Sequence, residues 1–154
     1  MKRKIVSVLL TTGMIFSLTF SCQAAEAEAA GGATGPNGEA ATPASEIQLT
    51  EEEKEQIREG GYTAAISMHY GGNDWATSQL EGLQATFDDL GIEVVAVTDA
   101  DFSAEQQVSD IETIMAKDPD IIVSIPTDAT ATADAFERVS EAGIKLVFMD
   151  NVPE

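Results

Sequence analysis

The sequence predicts an α/β fold, a doubly wound parallel sheet, and three observations lead there. From residue 62 onward, short apolar runs rich in β-branched residues alternate with longer segments of helical periodicity. The runs Val94-Val95-Ala96-Val97 and Ile121-Ile122-Val123 are apolar on both faces, so both faces of the sheet need cover. Each periodic segment stops at a glycine or proline and feeds the next run, which is the pattern of strand–helix–strand units joined by right-handed crossovers.

The elements follow in order. Thr50 with Glu53 three residues later is a capping box, opening a short charged helix that Gly60 and Gly61 stop. Its leading acids Glu51, Glu52 and Glu53 suit the positive end of the helix dipole. A first strand is expected over 62–68. The loop 69–74 leads into a helix whose Leu80, Leu83, Phe87 and Leu90 share one face, with Gly91 as its left-handed stop. The second strand is 92–97. Ser103 and Gln106 suggest another capping box, and Val108, Ile111, Ile114 and Met115 form the buried stripe of the next helix, broken at Asp118-Pro119. The third strand is 121–125, the last helix 128–142 with Gly143 as its stop, and the fourth strand 144–149.

Composition narrows the function. With 154 residues the chain has room for one domain and little more. Its 27 acidic and 8 basic residues give a net charge of −19, which argues against a nucleic-acid partner, because phosphate neutralisation needs a basic face. The one cysteine, Cys22, rules out a disulfide within the chain.

The first 22 residues read as an export signal. Lys2, Arg3 and Lys4 precede an uncharged apolar stretch over 5–20, short for a bilayer span and suited to a secretory signal. Leu18-Thr19-Phe20-Ser21-Cys22 resembles a bacterial lipobox, in which the cysteine takes a diacylglycerol and becomes the new N-terminus; Thr19 and Phe20 depart from the usual residues there. The competing cleavage sites are the small pairs Ala25/Ala27 and Ala27/Ala29, which would release a soluble protein. Residues 23–48 are dominated by Ala, Gly, Glu, Thr and Pro, too poor in apolar side chains to offset backbone entropy. The expectation is a flexible tether reaching about 25 to 30 Å, followed by the folded part over 49–154.

In open parallel sheets a ligand sits beyond the carboxyl ends of the strands, where the strand order reverses. Three loops qualify: 69–75, 126–128 and 150–153. Gly71-Gly72-Asn73 makes neither a dinucleotide fingerprint nor a phosphate loop. The loops offer instead Asn73, Asp74 and Trp75 after the first strand and Asp150 with Asn151 after the fourth. Carboxylates and amides pair with vicinal hydroxyls, and an aromatic face covers the C–H face of a sugar ring. Asn73 and Asp74 are equally suited to capping the following helix. His69, the only histidine, stands at the mouth of this region. Asp99, Asp101 and Ser103 imitate the opening of a calcium loop, but Ala104 and Asp110 stand where its glycine and glutamate belong, so no metal is expected. No nucleophile with a base and an orienting partner is recognisable, and neither catalysis nor a cofactor is expected.

From residue 62 to 153 the chain resembles the N-terminal lobe of the ribose/galactose-type periplasmic solute-binding proteins of ABC importers. The features are Asn73-Asp74-Trp75 with Glu81-Gly82, the run 107–120, Ser124-Ile125-Pro126-Thr127-Asp128, and Glu141-Ala142-Gly143-Ile144 leading to Asp150. The resemblance implies a type I periplasmic-binding-protein lobe, Rossmann-like and incomplete, since the family has two lobes and this sequence ends at Glu154 after four strands. It implies sugar contacts from Asn73, Trp75, Asp150 and Asn151. Two departures bear on those contacts: Trp75 is followed by Ala76 where an aromatic pair is common, and Asp150 by Asn151 where arginine is frequent. The implied function is a lipid-anchored extracytoplasmic receptor that binds a monosaccharide or sugar-like solute and partners ABC permease subunits in the membrane. The alternative is a sensory receptor signalling to a membrane kinase or chemoreceptor.

Overall fold

The computed structural model describes residues 38 and 40–153, in two units divided between Ile47 and Gln48. The expected signal over 1–22, with Cys22, and most of the expected tether lie outside the described residues. In the first unit the described residues form one short 3₁₀ turn, Ala44–Glu46, closed by the Glu46 amide on the Pro43 carbonyl at 2.9 Å.

The second unit alternates helix and strand: α1 (Glu51–Gly60), β1 (Thr63–Met68), α2 (Asp74–Asp89), β2 (Glu93–Asp99), α3 (Ala104–Met115), β3 (Ile121–Ser124), α4 (Ala133–Glu141) and β4 (Lys145–Phe148). The strands form one parallel sheet in the order β2-β1-β3-β4. Side chains alternate across it. Ala64, Ile66, Met68 and Val123 pack under α2 with Phe87 and Leu90, whereas Ala65 and Ile122 pack under α3 and α4 with Ile111, Ile114, Phe136 and Val139. Helices on both faces are what strands apolar on both faces require.

The two central strands meet that requirement and the two edge strands do not. β1 and β3 are almost entirely buried, but Val97 on β2 and Val147 on β4 are 42% and 49% exposed. Over β4, on the α2 side, no helix among the described residues covers the sheet. A concavity of about 740 Å³ opens there, lined by Leu83, Phe87, Val123, Val147 and Met149 among others.

The caps explain the helix boundaries. At α1 the capping box is complete: the Thr50 hydroxyl accepts from the Glu53 amide at 3.2 Å, and the Glu53 carboxylate accepts from the Thr50 amide at 2.7 Å. At α3 only half the expected box exists. Ser103 accepts from the Gln106 amide at 3.1 Å, but the Gln106 side chain reaches forward one turn to donate to Asp110 at 2.7 Å instead of back to the cap. The last helix also corrects expectation, beginning at Ala133 rather than residue 128. Asp128 Oδ1 accepts from the amides of Thr130 and Ala131, holding a separate turn that delays the helix.

Glu53 has its pKa lowered by its hydrogen bonds from the Thr50 amide and hydroxyl. A depressed carboxyl pKa contributes stability above the unfolded-state value and loses it as pH falls through the folded-state value. Thr50→Ala removes the hydroxyl that caps the Glu53 amide and should cost about 1 kcal/mol, as read by urea unfolding of the full-length protein. The pH dependence from Glu53 largely remains, because the Thr50 amide, the larger cause of its lowered pKa, is kept.

Candidate functional site

The strand order locates the place where a ligand should sit. β1 connects through α2 to β2 on one side, while β3 connects through α4 to β4 on the other, so the order reverses between β1 and β3. The loops after β1, β3 and β4 lie at this carboxyl edge. β1 and β4 are two strands apart in this order, about 10 Å.

The β1 loop presents Asn73, Asp74 and Trp75 in different ways. Asn73 is the N-cap of α2, its Oδ1 accepting from the Ala76 amide at 2.8 Å, which leaves its side-chain NH₂ for a ligand. Asp74 is the exposed first residue of the helix. Trp75 is 49% exposed and outside the core, its ring set edge-on to His69 with centroids 6.3 Å apart. Ala76, in contrast, is 1% exposed and packs with Ile66 and Met68, so position 76 faces the core and not the ligand edge. Half-buried His69 bridges the loops, and its Nδ1 meets no hydrogen-bond partner among the described residues.

The two glycines of this loop lie close against neighbouring side chains, which would have to move to admit a Cβ. A Cβ on Gly71 would come within 2.7 Å of the Asp99 carboxylate, and one on Gly72 would collide with the Tyr70 ring. Asp99 accepts from the amides of Gly71 and Asp101, both at 3.0 Å. The residues that imitate a calcium loop thus lace the β2 loop to the β1 loop.

The β3 and β4 loops are tied together. Asp150 is exposed in the left-handed region at φ 64°, and Asn151 donates from Nδ2 to the Pro126 carbonyl at 3.2 Å. Asn151 therefore braces the edge with its amide nitrogen and keeps its oxygen for a ligand. Among the described residues no hydrogen bond joins Asp150 or Asn151 to the Asn73–Trp75 group; the edge holds them on opposite sides of β3.

Gln107 was not singled out by sequence reasoning, yet it organises the edge from beneath. It is fully buried at the start of α3. Its Nε2 donates to the Ile125 carbonyl at 2.9 Å and, at 3.4 Å, to the hydroxyls of Ser67 and Ser124; its Oε1 accepts from the Thr127 amide at 2.6 Å. One side chain thereby joins α3 to the ends of β1 and β3 and to the β3 loop. The signal was present in the sequence: Gln107 stands four and seven residues before Ile111 and Ile114, a polar side chain on the buried stripe. Tyr70 and Phe102 were missed as well. Their rings stack at 4.5 Å with 17° between planes, and Phe102 meets the His69 ring edge at 5.2 Å.

The concavity of about 740 Å³ lies on the uncovered sheet face, reaching from residues 118–121 at the amino end of β3 to Met149 after β4. Its lining is mainly aliphatic and aromatic, and its Asp120 is engaged by the amide and hydroxyl of Thr63.

Fold and edge together define the class, a doubly wound α/β lobe with its loops after β1, β3 and β4 gathered at the carboxyl ends of a parallel sheet. Residues 64–154 match the periplasmic binding protein domain family, and the chain belongs to it. It is 27% identical over 93 residues to the ribose import binding protein of Bacillus subtilis (strain 168), a match covering 60% of this chain and 30% of that protein. Among solved structures it is similar to a periplasmic solute-binding protein of an ABC transporter from Actinobacillus succinogenes with bound D-allose, at 28% identity and TM-score 0.56 over 60% of this chain and 33% of that one. A sugar ABC transporter subunit from Rhodobacter sphaeroides matches at 28% identity and TM-score 0.55, over 58% and 32%. The chain spans about a third of the length of these relatives.

Proposed function

We propose that the protein is an exported solute receptor of an ABC importer, held at the outer face of the cytoplasmic membrane by a lipid on Cys22, that binds a monosaccharide or sugar-like solute without turning it over. The solute lies between this lobe and a second one, and hinge closure presents it to the permease. The observation that carries the reading is the polar and aromatic furniture of the reversal edge, with Asn73, Asp74, Trp75 and His69 on one side and Asp150 and Asn151 on the other. Kinship with a ribose import protein and with a D-allose-bound receptor supports the choice of solute class.

In this reading Trp75 covers the C–H face of the ring, and Asp150 accepts from hydroxyls in a closed, desolvated cleft. A charged hydrogen bond in such a setting is worth about 1.5 to 3 kcal/mol. Calorimetric titration of the full-length mature protein with pentoses, hexoses and polyols should reveal one tight ligand, and both Trp75→Ala and Asp150→Ala should weaken it by at least about tenfold. No binding across the panel by folded protein overturns the sugar reading. Mass determination of the mature N-terminus tests the anchor: a diacylated Cys22 supports it, and cleavage after Ala27 or Ala29 refutes it.

A further inference from the structure

The β2 loop holds an aromatic side chain at the ligand edge in a conformation that the chain does not adopt freely. Asp101 and Phe102 are consecutive non-glycine residues in the left-handed region, at φ 46° and 59°. That region is unfavourable for a residue with a Cβ, most of all a bulky one. It is maintained by the Asp99 carboxylate on the Asp101 amide and by the Phe102 amide donating to the His69 carbonyl at 2.8 Å. The ring so placed is not buried: Phe102 is 59% exposed, more than Trp75.

Phe102 also continues the aromatic surface that begins at Trp75. Ring contacts run from Trp75 to His69 at 6.3 Å, from His69 to Phe102 at 5.2 Å and from Phe102 to Tyr70 at 4.5 Å. Tyr70 backs Phe102 with a stacked ring, giving it a fixed orientation. The strip runs from the β1 loop to the β2 loop, away from β3. Trp75 and Phe102 each meet the His69 ring from a different loop, so the strip offers two aromatic surfaces joined through His69.

We propose that Phe102, with Tyr70 behind it, is a second ligand subsite, and that the preferred solute is a glycoside whose second ring rests on Phe102, rather than a free monosaccharide. The proposal rests on the sugar-binding reading above and narrows its substrate class. Stacking against the exposed face of a phenylalanine is suited to the C–H face of a second sugar or to an aryl aglycone.

The test is calorimetric titration of the full-length protein with matched pairs: glucose with cellobiose and phenyl glucoside, galactose with lactose and phenyl galactoside, xylose with xylobiose. The expected result is that the ring-bearing members of one series bind at least tenfold more tightly than their free sugar, a difference of about 1.4 kcal/mol. Phe102→Ala should erase that ratio while leaving the free sugar within twofold, and Phe102→Trp should keep it. Free sugars that bind as tightly as their glycosides overturn the subsite and leave the sugar reading standing, and this ranking in the unaltered protein needs no variant. A preference that survives in Phe102→Ala, with an unchanged melting profile, also overturns it. Failure of every sugar and glycoside to bind overturns both readings.

Discussion

Gln107→Leu should lower the stability of the protein by about 3 kcal/mol, because it keeps most of the side-chain volume while orphaning polar groups that cost 1 to 3 kcal/mol each when buried without partners. The groups left behind are the Thr127 amide, the Ile125 carbonyl and the paired hydroxyls of Ser67 and Ser124. Ser124 still donates to the Ser67 carbonyl at 2.9 Å, so the ends of β1 and β3 remain joined. The Thr127 amide has no such reserve among the described residues. Urea unfolding measures the loss of stability, and hydrogen exchange at the Thr127 amide should accelerate well before global unfolding. Unchanged exchange there would show that the loop does not depend on Gln107. The same loop receives the Asn151 side chain through the Pro126 carbonyl, so loosening it also loosens the β4 loop.

Phe136→Ala should cost about 3 to 5 kcal/mol, the range for truncating a buried aromatic. Phe136 is 2% exposed on α4 and stands edge-on to Phe148 of β4, with ring centroids 4.9 Å apart and planes at 89°. Its removal opens a cavity between α4 and the sheet and strips the edge strand of its main aromatic partner. Chemical denaturation of the full-length protein gives the magnitude. Phe102→Ala is the natural control, since an exposed ring away from the core should change stability by about 0.5 kcal/mol or less. Equal losses in the two variants would mean that Phe102 is a packing residue and not a surface one.

The contrast between these phenylalanines shows where sequence reading succeeds. Phe87 and Leu90, on the stripe read for α2, are buried. Ile111 and Ile114, on the stripe read for α3, are fully buried. Gly91 and Gly143 are left-handed, as helix stops should be. The Asn73 side chain caps α2, one of the two roles its position allowed, and its remaining NH₂ keeps the other role open. Errors fell where a side chain had a choice of nearby partners: Gln106 chose Asp110 over its cap, and Asp128 formed a turn of its own before α4. Such choices differ by little energy and are decided by what lies around them.

By itself, the sequence determined the alternation of elements, the caps of α1 and α2, the glycine stops, and the apolar run of β3 that needs cover on both faces. These depend on hydrogen bonds and side-chain spacings of three or four residues along a helix and two along a strand, so a short window contains the cause. Only the tertiary structure decided that β1 lies between β2 and β3, that β2 and β4 are edges with exposed valines, and that Gln107 is a hub joining three elements. It alone showed that the β2 loop turns Phe102 toward His69 while helix phase turns Ala76 into the core. Each of these is set by strand neighbours and loop contacts between residues far apart in the chain, such as Ser67 with Ser124 and Gly71 with Asp99, and a local window has no term for them.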